Sequence, residues 1–354
     1  SRVSFCLLTT LAMDASIRAR CKSLEARIRE LEAENQNLRL KLAGREKMEV
    51  LGEKKEKKSA EGAQMAPVVP SAHTHGLSLE QVRRYGRQLV LKEIGVEGQS
   101  RICKAKVLVV GAGGLGCPAC LYIAGAGVKK LGIVDGDYVD SSNLHRQIIY
   151  GESTLGMLKA QAARKRCLDL NPSVDCEAIC EKFTEKNAMK LAKGYDIILD
   201  CTDNVKTRYL IAETGEILGI PTVMGAAQRV DGQVCILGDG GPCYRCLYPD
   251  PMSRTEARCS DVGVLGIVPG IIGCLQALLC LRWISFDPKT TRGERRKLIV
   301  FDAKNLGYHS IPLPGRRPGC PCCDPKERKN LEKKALKSTQ NKTSDEDCGC
   351  STGV

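Results

Sequence analysis

The sequence predicts an α/β protein built on a doubly wound, mainly parallel, Rossmann-like sheet. Three observations carry that expectation. Apolar, β-branched runs alternate with helical patterns from residue 106 onward. The first run, Lys106 to Val110, ends in the turn Gly111-Ala112-Gly113-Gly114-Leu115-Gly116, and the second run ends on an acidic residue, Asp135. Parallel neighbours need long crossovers, so alternation of this kind implies helices on both faces and ligands at the carboxyl ends of the strands.

Taken in order, residues 13–43 come first. Ile17, Leu24, Leu31 and Leu38 occupy one seam of a heptad pattern, and Cys21, Ile28, Asn35 and Leu42 the other, which predicts a coiled-coil helix. In a parallel homodimer Arg20 would face Glu25, Arg27 would face Glu32 and Glu34 would face Arg39. A lone amphipathic helix is the alternative, because so short a seam is marginal by itself. Residues 1–12 precede Met13 and are expected to be a non-native upstream segment, with translation starting at Met13. Residues 44–76 are charged, then rich in Pro, Ala and Ser without a period, and predict a flexible linker.

From Leu77 the pattern is regular. Ser78 is an N-cap candidate for a helix that Gly95 would end. Strands are expected near residues 106–111, 130–135, 174–180, 195–201, 221–225 and 232–238, with one or two more within 297–311. Helices are expected near 114–126, 156–169, 184–193, 204–218 and 265–284. The last of these is apolar enough to weigh as a membrane span, but Gln276, its glycines and Pro269 favour a buried core helix, so no membrane is expected. Residues 324–354 read as a charged, disordered tail.

A net charge of +13 suits an anionic partner such as a nucleotide, an acidic protein or RNA, but a solvated basic surface is the plainer and preferred reading, and no direct nucleic-acid binding is expected. Twenty cysteines in a chain of this size do not make a secreted disulfide scaffold, which points to reduced thiols and a cytoplasmic location.

The glycine turn carries the chemistry. Gly111 lets the chain reverse sharply, Gly113 and Gly114 let backbone N–H groups approach a phosphate, and Gly116 lets the helix pack on the strand. Asp135, about twenty residues on, can accept from ribose hydroxyls. Taken alone this fits NAD as well as ATP. Asn143, Arg146, Lys159 and Asp203 follow at successive strand ends, giving two cations and a metal-binding carboxylate around one crevice. That suits a triphosphate with Mg²⁺ reacting at its α-phosphorus, whereas a nicotinamide needs none of it. The plainer alternatives are that Arg146 and Lys159 are solvated charges and Asp203 is a helix N-cap.

The segments Arg84-Tyr85-Gly86-Arg87-Gln88, the glycine turn, Ser142-Asn143-Leu144-His145-Arg146-Gln147, Lys159, Asp200-Cys201-Thr202-Asp203-Asn204 and Gly240 to Pro249 together resemble the MoeB/ThiF family of ubiquitin-activating-type adenylyltransferases. The likeness spans residues 77–323 and is nearest to the eukaryotic adenylyltransferase and sulfurtransferase proteins of molybdopterin synthesis and tRNA thiolation. It implies a homodimer that uses ATP to adenylate the C-terminal glycine of a ubiquitin-like sulfur carrier ending in Gly-Gly. Gly114 would lie against the phosphates, Asp135 would hold the ribose, and Asn143, Arg146 and Lys159 would bind and polarise the polyphosphate, with Ser142, Leu144 and His145 among the cofactor-binding residues. Asp203 would hold Mg²⁺ with Asn204 beside it, and Arg87 would reach into the neighbouring subunit's ATP site. A lysine and two arginines would relieve the repulsion between carboxylate and phosphate most in the transition state, and the ionised nucleophile needs no general base.

The cysteines divide into three groups. Cys243 and Cys246, and Cys320 and Cys323, form two C-x-x-C pairs whose four thiolates would saturate one structural Zn²⁺, with a redox C-x-x-C as the alternative. Cys259 lies near Arg254 and Arg258, whose charges would favour the thiolate, and the resemblance makes it a candidate to take the activated carrier as a thioester or acyl disulfide. A structural thiol is the other possibility there. Cys103, Cys117, Cys120, Cys167, Cys274 and Cys280 sit in apolar contexts and are expected to fill the core.

The relatives continue into a rhodanese domain, whereas the stretch after Cys323 is too short to fold into one. The expectation is therefore a truncated or spliced form, or a sulfur donor or rhodanese protein acting in trans. Cys348 and Cys350 are poor substitutes because acidic neighbours disfavour the thiolate. Two rival functions stand against the adenylyltransferase: an NAD-linked oxidoreductase, and a non-catalytic dimerising partner.

Overall fold

A computed structural model describes residues 76–250, 263–286 and 297–331. The heptads of residues 13–43, most of the linker, Cys259 with Arg254 and Arg258, and the last residues of the tail lie outside the described residues.

Helix α1 (Leu79–Leu89) begins where the sequence placed it. The Ser78 side chain accepts from the Gln81 N–H and the Gln81 side chain accepts from the Ser78 N–H, a reciprocal capping box. Gly95 does not end this helix. It has φ +57° and opens a second one, α2 (Gly95–Ile102), after a short turn, so a residue suited to stopping a helix here serves as the bend between two.

The sheet has eight strands in the order β3-β2-β1-β4-β5-β6-β7-β8. Strands β1 (Lys106–Val110), β2 (Lys130–Val134), β3 (Asp175–Ile179), β4 (Ile197–Asp200) and β5 (Thr222–Gln228) run parallel. Then β6 (Asp231–Leu237), β7 (Lys297–Asp302) and β8 (Gly307–Pro312) continue the sheet antiparallel. The sheet is thus mixed: β1 to β5 form the parallel portion the sequence suggested, and an antiparallel portion follows because β5 and β6 are joined by a tight hairpin through Arg229 (φ +55°) instead of a crossover helix.

Period-two alternation in the central strands sends side chains to two cores. Val107, Val109, Leu131, Ile133, Ile197 and Leu199 face one side, under α3 (Gly116–Ala126), α4 (Lys159–Leu170) and α8 (Ile267–Ser285). Leu108, Val110 and Ile198 face the other, where they meet Ala188 and Ala192 of α5 (Ala188–Ala192) and Ile211 of α6 (Val205–Leu218). A single turn, α7 (Tyr244–Leu247), follows β6.

Helix α8 passes the length and composition test for a membrane span, with a mean hydropathy of 1.8 in its most apolar window. Its packing belongs to a core helix. Gln276 is fully buried, and its Nε2 donates to the carbonyls of Asp200 (2.7 Å) and Val223 (3.0 Å), stapling the helix to β4 and β5. Gly225 leaves the space that this side chain fills: a Cβ there would lie 2.3 Å from Gln276 Cδ. A Cβ on Gly273 would fall 2.1 Å from the Leu115 carbonyl oxygen, so α8 also sits hard against the start of α3.

Residues 325–331 are helical where the sequence pointed to a disordered tail. Arg328 donates to the Ile217 carbonyl and Leu331 packs on the cysteine cluster, contacts that local composition does not encode.

Candidate active site

The strand order reverses between β1, which leads to β2, and its other neighbour β4. A crevice of about 580 Å³ opens at this switch point, beyond the carboxyl ends of the strands. It is built on the glycine turn. Gly111 has φ +93°, and a Cβ there would lie 2.8 Å from the Cys201 carbonyl oxygen, so only glycine lets β1 and β4 close to this distance. A Cβ on Gly116 would fall 2.0 Å from the Gly111 carbonyl oxygen, so α3 can begin directly over the turn only without a side chain. Gly114 is confined by Pro269 of α8, 3.1 Å from where its Cβ would be, whereas Gly113 would meet nothing closer than Gln147 Nε2 at 3.8 Å.

Gly114, Asp135, His145, Arg146, Lys159, Asp203 and Asn204 all line this crevice. Asp135 Oδ2 accepts from the Ala112 N–H at 2.8 Å and Oδ1 from the Asp137 N–H at 2.9 Å, which fixes the carboxylate at the end of β2 and leaves lone pairs for a ligand. Burial pushes its carboxyl above the usual aspartate range, moderated by those two N–H groups and by Lys159.

Lys159 is the first residue of α4 and only 7% exposed, which disposes of the solvated-charge alternative. Its Nζ lies 3.2 Å from Asp137 Oδ2, an acceptor absent from the sequence reading. Arg146 is half-buried and held by its own segment, donating to the Ser142 carbonyl (3.1 Å) and to Asn143 Oδ1 (2.7 Å), with His145 Nε2 2.7 Å from its Nη1. Ser142, Asn143 and Leu144 are not among the crevice-lining residues. The first two orient Arg146, and Leu144 anchors the segment in the core.

On the β4 side, Asp200 is buried and holds the loop, accepting from the Thr202 N–H (3.1 Å) and Oγ1 (2.7 Å). Arg208 Nη2 donates to the Thr202 carbonyl at 2.6 Å from below. The N-cap of α6 is Asn204, whose Oδ1 accepts from the Thr207 N–H, so Asp203 is not the cap and stays exposed at the crevice edge with its carboxylate available. Arg87 lies in the last turn of α1, exposed and away from the crevice lining.

Sequence reasoning missed three further residues here. Tyr150 Oη donates to the Ala112 carbonyl at 2.8 Å and lies 3.2 Å from the Lys159 carbonyl, tying the glycine turn to α4. Asp137 pairs with Lys159, and Gln147 closes the wall beside Gly113. An apolar residue would have been the default for a buried position such as Tyr150, and only three-dimensional proximity marks these side chains.

The two C-x-x-C pairs converge. Cys243, Cys246, Cys320 and Cys323 place their sulfurs within 4.8 Å of one another, with 3.3 Å between Cys246 and Cys323 and 3.6 Å between Cys243 and Cys320. Four thiolates about 2.3 Å from a tetrahedral ion would stand on the order of 3.8 Å apart, so the donor set fits a metal ion such as Zn²⁺. The Arg317 N–H donates to Cys246 Sγ at 3.3 Å, and Arg316 braces the segment through the Cys323 carbonyl and Glu216 Oε2. Cys322 is buried beside the cluster but turns its thiol to the Ala212 carbonyl, outside the ligand set. Cys117, Cys120, Cys167 and Cys280 are buried as expected, while Cys103 and Cys274 are half-buried; burial pushes the Cys117 thiol up to about 12.

A mixed α/β sheet with a glycine turn, a carboxylate and two cations at its switch point defines the doubly wound class, in which such crevices are ligand sites. The chain belongs to the ThiF family, which it matches over residues 85–322. It is 43% identical over 265 residues to the bovine adenylyltransferase and sulfurtransferase MOCS3, covering 74% of this chain and 58% of that protein. It is 46% identical to the Aspergillus niger adenylyltransferase and sulfurtransferase uba4, covering 69% of this chain and 53% of that one. The chain thus spans little more than half the length of these relatives. Among solved structures, E. coli MccB with ATP superposes with a TM-score of 0.55 at 20% identity, over 64% of this chain and 69% of that one, a likeness of fold.

Proposed function

We propose that the chain is an ATP-dependent adenylyltransferase that activates the C-terminal glycine of a ubiquitin-fold sulfur carrier for thiocarboxylate formation, in molybdopterin synthesis, tRNA thiouridine modification or both. The observation that carries the reading is the convergence of Arg146, Lys159 and Asp203 on the crevice above the glycine turn. The names of the relatives, adenylyltransferase and sulfurtransferase, support it.

The glycine carboxylate attacks the α-phosphorus of ATP, a bond forms between carboxylate oxygen and phosphorus, and the bond to the leaving pyrophosphate breaks. Arg146 and Lys159 neutralise charge as two anions approach, and because both are already fixed by the fold they cost no reorganisation at that moment. Asn143 and Ser142 keep Arg146 aimed, and Asp135 accepts from the ribose. Asp203, free of the helix cap, would hold Mg²⁺, which would neutralise charge on the leaving pyrophosphate. Cys243, Cys246, Cys320 and Cys323 would hold a Zn²⁺ with a structural role, four thiolates being a full ligand set.

The active form is a homodimer in which Arg87 completes the partner's site. Ile267 and Leu278 on α8 and Tyr122 on α3 are large exposed apolar side chains, which supports their being covered by a second copy. Cys259 is the acceptor of the activated carrier in the step after adenylation. The cysteine content of a chain this large suits a reducing, cytoplasmic setting.

ATP–pyrophosphate exchange tests the proposal, using the ubiquitin-fold carriers of molybdopterin synthesis and of tRNA thiolation as probes. Exchange should depend on a carrier ending in Gly-Gly. Lys159→Ala should lower it about 10²–10³-fold or more, while Cys259→Ala should leave exchange intact and block only later transfer. ATP binding without carrier-dependent exchange would overturn the enzymatic reading in favour of a non-catalytic partner.

A further inference from the structure

The two C-x-x-C pairs stand on one stripe of a single helix. Along α6, Tyr209, Ala212, Glu213 and Glu216 recur at i, i+3, i+4 and i+7, the spacing of one helical face. Each meets a cysteine-bearing segment, and the two segments alternate along the stripe. Tyr209 Oη donates to the Tyr248 carbonyl at 2.7 Å, just past Cys246. Cys322 Sγ, beside Cys323, donates to the Ala212 carbonyl at 3.8 Å. Glu213 Oε1 accepts from Arg245 Nε at 2.7 Å, and Arg245 stands between Cys243 and Cys246. Glu216 Oε2 accepts from Arg316 Nη2 at 3.2 Å.

Arg316 also carries the second segment across to the first. Its Nη1 donates to the Cys323 carbonyl at 3.3 Å and its Nε to the Gly241 carbonyl at 3.0 Å, so one guanidinium fork spans both pairs while Glu216 fixes its third nitrogen.

Stability alone does not explain the glutamates. The Glu216 side chain is 5% exposed and its Oε1 has no hydrogen-bond partner among the described residues, so an apolar residue would cost less at that position. What the carboxylates supply is placement. Cys243 and Cys320 are 77 residues apart in the chain, and an ion joining two free segments must bear the entropy of closing that loop. Two segments docked on one helix instead present their thiols to each other at high effective concentration.

We propose that Glu213 and Glu216 are positioning residues for the metal: through Arg245 and Arg316 they hold the two cysteine pairs in register on α6. The inference rests on the Zn²⁺ assignment above.

The test is metal affinity in the full chain, read by competition for Zn²⁺ with a chromophoric chelator. Glu213→Gln and Glu216→Gln keep the side-chain shape and remove the charge, and each should weaken Zn²⁺ binding about 10–100-fold. Co²⁺ titrated into the metal-free protein should give the charge-transfer absorption of four thiolates, saturating at one equivalent in the wild type and only at excess Co²⁺ in both variants. Gln276→Leu weakens the sheet away from the cysteines and should keep Zn²⁺ affinity within about twofold, a result that a general loss of stability would not give. Glu213 is the more exposed of the two glutamates, and its variant decides the matter if Glu216→Gln does not fold. Wild-type affinity in the variants, or an equal loss in Gln276→Leu, would overturn the role of the glutamates while leaving the Zn²⁺ assignment standing. A wild-type chain that binds neither Zn²⁺ nor Co²⁺ at one equivalent would overturn that assignment, and this inference with it.

Discussion

Two glycines three residues apart separate folding from ligand binding. At Gly116 an added methyl would sit 2.0 Å from the Gly111 carbonyl oxygen, against an ordinary carbon–oxygen contact of about 3.3 Å. The atom it strikes is backbone in the turn itself, pinned by the approach of Gly111 to Cys201, so more than an ångström of displacement must be shared between α3 and β1. Gly116→Ala should therefore destabilise the domain by about 3 kcal/mol or more, in the range of overpacking a dense interior. At Gly113 the nearest atom to an added Cβ is Gln147 Nε2 at 3.8 Å, and φ is not in the left-handed region, so Gly113→Ala should fold with equal or slightly raised stability. Its methyl occupies the crevice where a phosphate approaches the backbone, and ATP affinity should drop at least about tenfold. Urea denaturation and calorimetric titration of ATP into both variants are the assays. A Gly113→Ala protein that binds ATP like the wild type, or a Gly116→Ala protein with unchanged stability, would refute this assignment of the turn.

Further outcomes follow from other parts of the molecule. Cys320→Ser should remove a thiolate from the cluster, abolish stoichiometric bound zinc by elemental analysis, and raise hydrogen exchange in residues 313–331. Gln276→Leu keeps approximate volume but leaves the Asp200 and Val223 carbonyls without this donor, and should cost about 1–3 kcal/mol in denaturant unfolding. The Lys130–Glu177 ion pair, 2.6 Å long, lowers the pKa of Glu177 and raises that of Lys130, in each case chiefly by the hydrogen bond between them. Its contribution is complete between about pH 4.5 and 10.5, and is lost as pH falls through the depressed Glu177 pKa or rises through the elevated Lys130 pKa. Because both groups are solvent-accessible it should amount to about 0.5 kcal/mol. Glu177→Gln should lose that amount at pH 7 and progressively less as pH falls through the depressed Glu177 pKa.

Much of this arrangement is legible in the sequence, and for a physical reason. Short apolar, β-branched runs located β1 to β6 to within a few residues, and the residue types at the strand ends located Arg146, Lys159, Asp203 and Asp135 in one crevice. Those signals are local in the chain. Gly95 was misjudged because a positive φ serves a bend between helices as well as a terminus. The antiparallel half of the sheet was hidden because a strand carries no mark of its neighbour's direction. Asp137 and Tyr150 were invisible as site residues because their significance lies in partners brought near by folding, such as the turn that Tyr150 ties to α4, whereas Gln147 stood in the Ser142 to Gln147 motif without a role assigned to it. Asn204 and Asp203 show the limit most sharply: adjacent residues of similar shape, one spent on capping a helix and the other left free.

The pairing of Lys159 with Asp137 gives the crevice an internal rival for an anionic ligand. Under the proposed reaction an arriving triphosphate would meet an ammonium that already serves a carboxylate, so its ground-state affinity would be discounted by that competition. On departure of the products the carboxylate would again be the lysine's acceptor, which would favour their release. Asp137 would then weaken retention at both ends of the cycle while leaving the lysine in place for the step between, a compromise that favours turnover over occupancy.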